Sequence, residues 1–294
     1  MLAAPNLIER GTTMAERVSI IGAGIMGAGI AQVAAQNGYE VVMLDTGQAA
    51  LDAAMTRVTA GLDRGVQRGV FDATVRDRAM QNLHTTLDLQ VAAQAPLIIE
   101  AIWEDQHAKE ELFKKLDQMA PPATIFGSNT STIPITELAA ATKRPDKFIG
   151  VHFFNPAYAM RLVEVIKGYH TSDETLQAVV KHVESLDKKP VVVNDSAGFV
   201  VNRLIAPFLN EATFLLQEGV ASMEDIDECV RLGLNHPMGP FQLMDLVGLD
   251  IVLHEITSVF ERTGDSKYRP SPTLRKMVVA GRLGRKTGKG WYEY

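Results

Sequence analysis

From Arg17 onward the chain alternates short apolar runs with stretches of helical period, and this alternation narrows the possible folds more than any other feature. The runs are VSII before Gly22, VVML before Asp45, LIIEAI from Leu97, ATIF from Ala123 and FIGVHF from Phe148. Apolar runs joined by crossover helices predict an α/β fold with a doubly wound, mainly parallel sheet of Rossmann type. The stretch from Asp45 to Leu97 is too long for one crossover helix. Its polar, charged pattern predicts a projecting helical hairpin, inserted outside the core sheet. Between Phe153 and the next run, LVEVI from Leu162, lie eight residues, short of the dozen or so that a parallel crossover needs. That pair is therefore expected to be antiparallel, which makes the end of one strand and the start of the next spatial neighbours. A helix from about Asp173 to Leu186 then leads to a last strand, PVVVN, at Pro190 to Asn194.

After Asp195 the apolar periods turn helical, in FVVNRLIAPFLNEATFLLQEG, MEDIDECVRLGL and FQLMDLVGLDIVLHEITSVF. A domain boundary is expected there, with an α/β domain over 15–195 and a smaller all-helical domain over 196–294. At 294 residues the chain is long enough for two domains, each with its own core. The first helix of the second domain is more apolar than a half-exposed helix needs to be, which points to a homodimer interface. The first fourteen residues have neither the apolar core of a secretion signal nor the arginines of a transit peptide, and read as a disordered lead-in. No apolar run is long enough to span a bilayer. A net charge of −6 argues against nucleic acid as a partner, since phosphate binding needs a basic surface. With Cys229 as the one cysteine no intrachain disulfide is possible, and a reducing cytoplasm fits best. No metal-ligand set is read in the sequence.

Gly22-Ala-Gly24-Ile25-Met26-Gly27 follows a predicted strand and opens a predicted helix. In a dinucleotide site the first glycine permits the tight turn, the second lets a pyrophosphate approach the backbone, and the third lets helix pack on strand. The helix N-terminus offers N–H groups and a favourable dipole to phosphate. Taken alone the motif also fits an ordinary glycine-rich turn. Asp45 strengthens it, ending the second run eighteen residues past Gly27, near the spacing at which a carboxylate binds the adenosine ribose. Thr46, Gly47 and Gln48 follow with no Arg or Lys to pair a 2′-phosphate, so NAD is expected rather than NADP. EAIWE, from Glu100 to Glu104, closes the third run, and Lys109 lies one turn into the next helix. These residues suit a cofactor contact and, equally, a solvated helix start whose acids favour the dipole.

Four further positions bear on chemistry. His152 ends the fifth run, where an imidazole exchanges a proton near neutral pH; a strand histidine also serves as plain structure. Glu164, in LVEVI, sits where an unpaired buried carboxylate is costly, and an antiparallel pair brings it beside His152 to orient the ring and balance its charge. The other reading is a surface Glu on an edge strand. Ser128, Asn129, Thr130 and Ser131 end the fourth run as a cluster able to donate to a substrate oxygen or a nicotinamide amide, or to cap a helix before Pro134. Asn202, early in an apolar helix, suits a ligand contact or a helix-end hydrogen bond.

Together GAGIMGAGIA, EAIWED, SNTST, GVHFFNPAYAMRLVEVI, FVVNRL, NHPMGPFQLMDLVGLD and GRKTGKGWYEY resemble, in order and spacing from Arg17 to Tyr294, the 3-hydroxyacyl-CoA dehydrogenase family. They are most similar to its single-function 3-hydroxybutyryl-CoA members. The resemblance implies NAD-dependent oxidation of the 3-hydroxyl of a short L-3-hydroxyacyl-CoA and its reverse. It implies His152 as base, Glu164 as its partner, Ser131 on the substrate hydroxyl, and Asn202 as an active-site asparagine in a cleft between the domains. NAD contacts fall on Gly22, Gly24, Ile25, Met26, Gly27, Asp45, Glu104, Lys109, Ser131, Asn155 and Lys286. Asn129, in the same SNTST block, is grouped with them. The family places part of its coenzyme A site on the hairpin, where Arg57, Arg64 and Arg68 either pair with phosphates or form a solvated face. This hairpin departs most from the family's lysine-rich version, and SNTST stands where SNTSS is commoner. No hydratase-like segment appears, which implies a monofunctional enzyme. Two other readings are kept: a dehydrogenase of a free hydroxy acid or sugar acid on the same scaffold, and a non-catalytic NAD(H)-binding protein, which needs none of His152, Glu164, Ser131 and Asn202.

Overall fold

The computed structural model describes residues 17–294, and the expected lead-in over the first fourteen residues lies outside them. The chain forms two compact units, one holding the chain up to Thr130 together with Ile135–Asp195, the other Ser131–Pro134 and Ser196–Tyr294.

The first unit is built as β1 (Arg17–Ile21), α1 (Ile25–Gln36), β2 (Glu40–Leu44), α2 (Gln48–Gln67), α3 (Ala73–Gln81), β3 (Leu83–Thr86), α4 (Leu89–Ala92), β4 (Leu97–Glu100), α5 (Gln106–Met119), β5 (Ile125–Ser128), α6 (Ile135–Ala139), β6 (Phe148–Phe153), β7 (Leu162–Lys167), α7 (Asp173–Ser185) and β8 (Lys189–Asn194). The sheet order is β3-β2-β1-β4-β5-β6-β7-β8. All neighbours are parallel except β6 and β7, which run antiparallel as the short link requires. Strands β1, β4, β5 and β6 are almost wholly buried, the state that their unbroken apolar runs describe and that a parallel sheet under helices demands.

The stretch between Asp45 and Leu97 differs from expectation in two ways. It contains a strand, β3, that extends the sheet beside β2, and its hairpin lies against α1 instead of projecting. Leu51, Ala54, Val58 and Leu62 of α2, with Ala79 of α3, belong to the same buried cluster as Ile30, Ala31 and Ala34 of α1. The physical reason is an apolar stripe along α2 at helical spacing, which the charged residues between its members hide from a reading of average polarity.

The second unit consists of α8 (Val201–Gln217), α9 (Met223–Gly233), α10 (Pro240–Val247), α11 (Leu249–Thr263) and α12 (Pro272–Val279). Its core includes Ala206, Leu209, Phe241, Met244, Val252 and Ile256. Two buried carboxylates tie it together. Asp227 accepts from the N–H groups of Phe241 and Gln242, capping α10, and from the Tyr292 hydroxyl. Asp245 accepts from the N–H groups of Trp291 and Tyr292 and from the Tyr294 hydroxyl.

Candidate active site

The glycine turn joins β1 to α1. Gly22 has φ +108°, and a Cβ there would lie 2.6 Å from the Ala101 carbonyl oxygen, so only glycine fits. A Cβ on Gly27 would come within 1.8 Å of the Gly22 carbonyl oxygen, which is the close helix–strand approach. Gly24 differs: a Cβ there meets nothing within 4 Å. The chain's own packing does not require that glycine, whereas a pyrophosphate lying against the backbone does. Gly24 also opens α1 without a side-chain cap, leaving the first-turn N–H donors, those of Ile25, Met26 and Gly27, for an anion.

Asp45 follows β2 and meets this turn. Its Oδ2 accepts from Ala23 N at 2.7 Å and its Oδ1 from Thr46 N at 2.7 Å, so the carboxylate is fixed beside the phosphate-binding turn. A cavity of about 560 Å³ opens there, lined by Gly22, Gly24, Asp45, Ala101, Trp103 and Leu112 among others. The residues present fit a dinucleotide: an open glycine, an uncapped helix start and a positioned carboxylate around one cavity.

Glu100 ends β4 and is fully buried. Its carboxylate accepts from Ser128 Oγ at 2.6 Å, Ile102 N at 2.7 Å and Lys109 Nζ at 2.5 Å. Lys109, 1% exposed, also pairs with Glu104 at 3.2 Å, and Glu104 accepts from Thr130 Oγ1. Burial alone would lower the Lys109 pKa, but the two carboxylates outweigh it and hold the ammonium above its ordinary range. The lysine of an apparently solvated helix start is thus the centre of a buried charge cluster that joins β4, α5 and β5. Asn129, next in the chain, donates its N–H to the Glu100 carbonyl, and its side-chain oxygen accepts from Phe153 N at 2.8 Å. It thereby fixes the end of β6 on which His152 stands.

His152 and Glu164 are register partners across the antiparallel β6–β7 pair. His152 Nδ1 lies 2.8 Å from Glu164 Oε2, with the two side chains 4% and 1% exposed. This geometry suits an Nδ1–H that donates to the Glu164 carboxylate. The Phe154 ring, centred 4.5 Å away, packs against the imidazole.

Asn155 is exposed on the link that follows β6. It lines a second cavity, of about 380 Å³, with Ile25, Gly29, Arg57 and Arg64. Arg57 also donates to the Ala23 carbonyl oxygen at 3.3 Å, while Arg68 caps the end of α2. In the helical unit, Asn202 is buried in the first turn of α8 and donates to the Ser131 carbonyl oxygen at 3.4 Å. Lys286 pairs with both oxygens of Asp250, at 2.6 and 2.7 Å. Among the described residues no cluster of His, Cys, Asp and Glu is arranged to hold a metal ion, and no helix is long and apolar enough to cross a membrane.

The comparisons with known proteins converge on this architecture. Residues 17–196 match the model of the 3-hydroxyacyl-CoA dehydrogenase NAD binding domain, and residues 198–294 that of the C-terminal domain of the same family. A Deinococcus radiodurans protein described as a probable 3-hydroxybutyryl-CoA dehydrogenase is 50% identical over 279 residues, covering 95% of this chain and 100% of the relative. A Clostridioides difficile 3-hydroxybutyryl-CoA dehydrogenase is 44% identical, covering 95% and 99%. The crystal structure of (S)-3-hydroxybutyryl-CoA dehydrogenase from Ralstonia eutropha superposes with a TM-score of 0.91 at 43% identity, covering 95% of this chain and 99% of that one. With the doubly wound sheet, the glycine turn and both halves matched, the chain belongs to the 3-hydroxyacyl-CoA dehydrogenase family of NAD-dependent oxidoreductases.

Proposed function

We propose that the chain interconverts a short-chain L-3-hydroxyacyl-CoA, 3-hydroxybutyryl-CoA in the first instance, with its 3-keto form, and that His152 and Glu164 handle the proton. The observation that carries this reading is the buried 2.8 Å contact between His152 Nδ1 and Glu164 Oε2. NAD, when bound, supplies the hydride acceptor for C3. With Nδ1 tied to the carboxylate, Nε2 is the nitrogen that takes the 3-hydroxyl proton as the C–H bond breaks. Glu164 then balances the charge of the imidazolium, which would otherwise be costly at this depth. In the reverse direction the same imidazolium returns the proton to the keto oxygen.

Ser131 and Asn202 are assigned to the substrate oxygen, supported by their mutual contact in the helical unit. Glu104, Lys109, Asn155 and Lys286 are assigned to the cofactor on the family resemblance and Asn129 as a member of the polar SNTST cluster, and the charge cluster around Lys109 supports the first two as a preset pair. Arg57 and Arg64, beside one cavity, are assigned to coenzyme A phosphate. The helical unit is assigned the substrate-facing and dimer contacts; apolar side chains exposed on it, such as Leu204, Leu246 and Ile251, support a homodimer. Light scattering at micromolar concentration that returns a monomer would remove the dimer from this reading.

The central test follows NADH absorbance in both directions: its loss with acetoacetyl-CoA beside free acetoacetate, and its formation from NAD with 3-hydroxybutyryl-CoA beside a free sugar acid. We expect turnover of the CoA ester by wild type and a fall of about 10²–10⁴-fold in His152→Gln, the range for loss of a general base, with NADH binding retained. Near-wild-type activity in that variant overturns the role of His152, and a preference for a free acid overturns the acyl-CoA assignment.

A further inference from the structure

The Trp103 indole stands 84% exposed, a poor state for the largest partly apolar side chain, and it lines the cavity that contains Gly22, Gly24 and Asp45. Among the described residues it is the one aromatic of that lining. Its backbone is held on both sides: Ala101 N donates to the Ile21 carbonyl, Ile102 N to Glu100 Oε1, and Asp105 N to the Trp103 carbonyl. Asp105 then caps α5 by accepting from Ala108 N. The indole is therefore presented from a fixed base, not from a slack loop. Leu87, in the same lining, is likewise exposed, at 54%. The other apolar residues of the lining, Leu89, Ala108 and Leu112 among them, are aliphatic.

We propose that Trp103 is a cofactor-binding residue that stacks on the adenine end of the dinucleotide and closes this cavity over it. The inference rests on the dinucleotide reading of the glycine turn and adds the residue that grips the base. Three observations choose the adenine end. Asp45, the ribose-binding carboxylate, lines the same cavity. Neither His152 nor Asn129 does, so the chemistry lies at another place along the cofactor. A lining that is mostly aliphatic with one exposed aromatic, and with Glu111 and Lys115 as its further charged members, suits a flat heterocycle, for which stacking on an aromatic side chain is favourable and needs no hydrogen-bond code.

The test uses the chain's own fluorescence, since it has two tryptophans, Trp103 and Trp291. Trp291 is 8% exposed and packs on Phe241 at 4.8 Å in the helical unit. Wild type, Trp103→Phe and Trp103→Ala are titrated with NADH, ADP-ribose and nicotinamide mononucleotide, with calorimetry beside fluorescence. We expect ADP-ribose to change wild-type tryptophan emission and nicotinamide mononucleotide not to. Trp103→Phe should keep the affinity and lose that signal. Trp103→Ala should raise the Kd of NADH and of ADP-ribose alike, by about tenfold, with unchanged folding because the side chain is exposed. An unchanged Kd for ADP-ribose in Trp103→Ala, or a response to nicotinamide mononucleotide alone, overturns the proposal while the dinucleotide site stands. Failure of wild type to bind NADH at all would remove the dinucleotide reading and the proposal with it.

Discussion

The α/β unit buries two histidines in nearly the same degree, His152 at 3% and His182 at 2% exposure, and their surroundings separate them completely. His152 faces a carboxylate across a strand pair. His182, on α7, packs edge-on against the Tyr39 ring at 4.8 Å, and its Nε2 has no hydrogen-bond partner among the described residues. Burial without a counter-charge pushes the His182 pKa down to about 4, so the ring is a neutral packing element. Burial alone therefore does not make an imidazole reactive. In the proposed function a partner able to bear the charged form does, and the helical unit offers the converse: Asp245 is as deeply buried as Glu164, yet its partners are backbone N–H groups and a phenol, the contacts of an anchor.

The largest effect should come from making His152 resemble His182. Glu164→Gln keeps the shape and removes the counter-charge, and should lower kcat by at least about 10²-fold; a near-normal kcat would erase the contrast between the two rings. The carboxylate that only anchors should behave in the opposite manner. Asp245→Ala leaves the N–H groups of Trp291 and Tyr292 without their acceptor and should cost about 3 kcal/mol in urea unfolding. Turnover per folded molecule should be far less affected than in Glu164→Gln.

His182 gives an effect of similar size that depends on pH. Its pKa is 6.5 ordinarily and about 4 when folded, so the unfolded chain takes up a proton in that interval that the folded chain refuses. The associated stability is fully present above 6.5 and is lost as pH falls towards 4, by about 3 kcal/mol in all. His182→Phe should flatten that part of the stability profile, and thermal melts from pH 7 to pH 4 will show whether it does. The smallest effect belongs to Lys286→Met: both partners of its pair with Asp250 are well exposed, so unfolding should shift by less than about 1 kcal/mol. Any larger change, in KM for NAD, would then report cofactor contact.

Much of this was legible in the chain itself. Strands β1, β2, β4, β5 and β6 announce themselves as apolar runs because they are buried on both faces, and the eight-residue link after β6 dictates its antiparallel neighbour. Strand β3 was hidden because LHTT needs only Leu83 buried at the sheet's edge. The sequence singles out Lys109 but not its burial, which depends on Glu100 and Glu104 converging in space; a lysine in an amphipathic helix otherwise reads as solvated. Asp227 and Asp245 accept from residues fourteen to sixty-five positions away, distances over which local pattern says nothing. For Asn129, a cluster of hydroxyls and amides could signal a cap or a ligand contact, and only the fold reveals its grip on Phe153.

The partners His152 and Glu164 stand twelve positions apart on one uninterrupted hairpin, whereas the dinucleotide turn draws on β1, β2 and β4. The hydrogen-bonded pair proposed to handle the proton is thus local in sequence in a way the glycine turn and its surroundings are not. A designer transplanting the segment 148–167 between sheets of this order would carry the His152–Glu164 contact along whole, and would need to add only an anchor such as Asn129, which holds Phe153 from the end of β5.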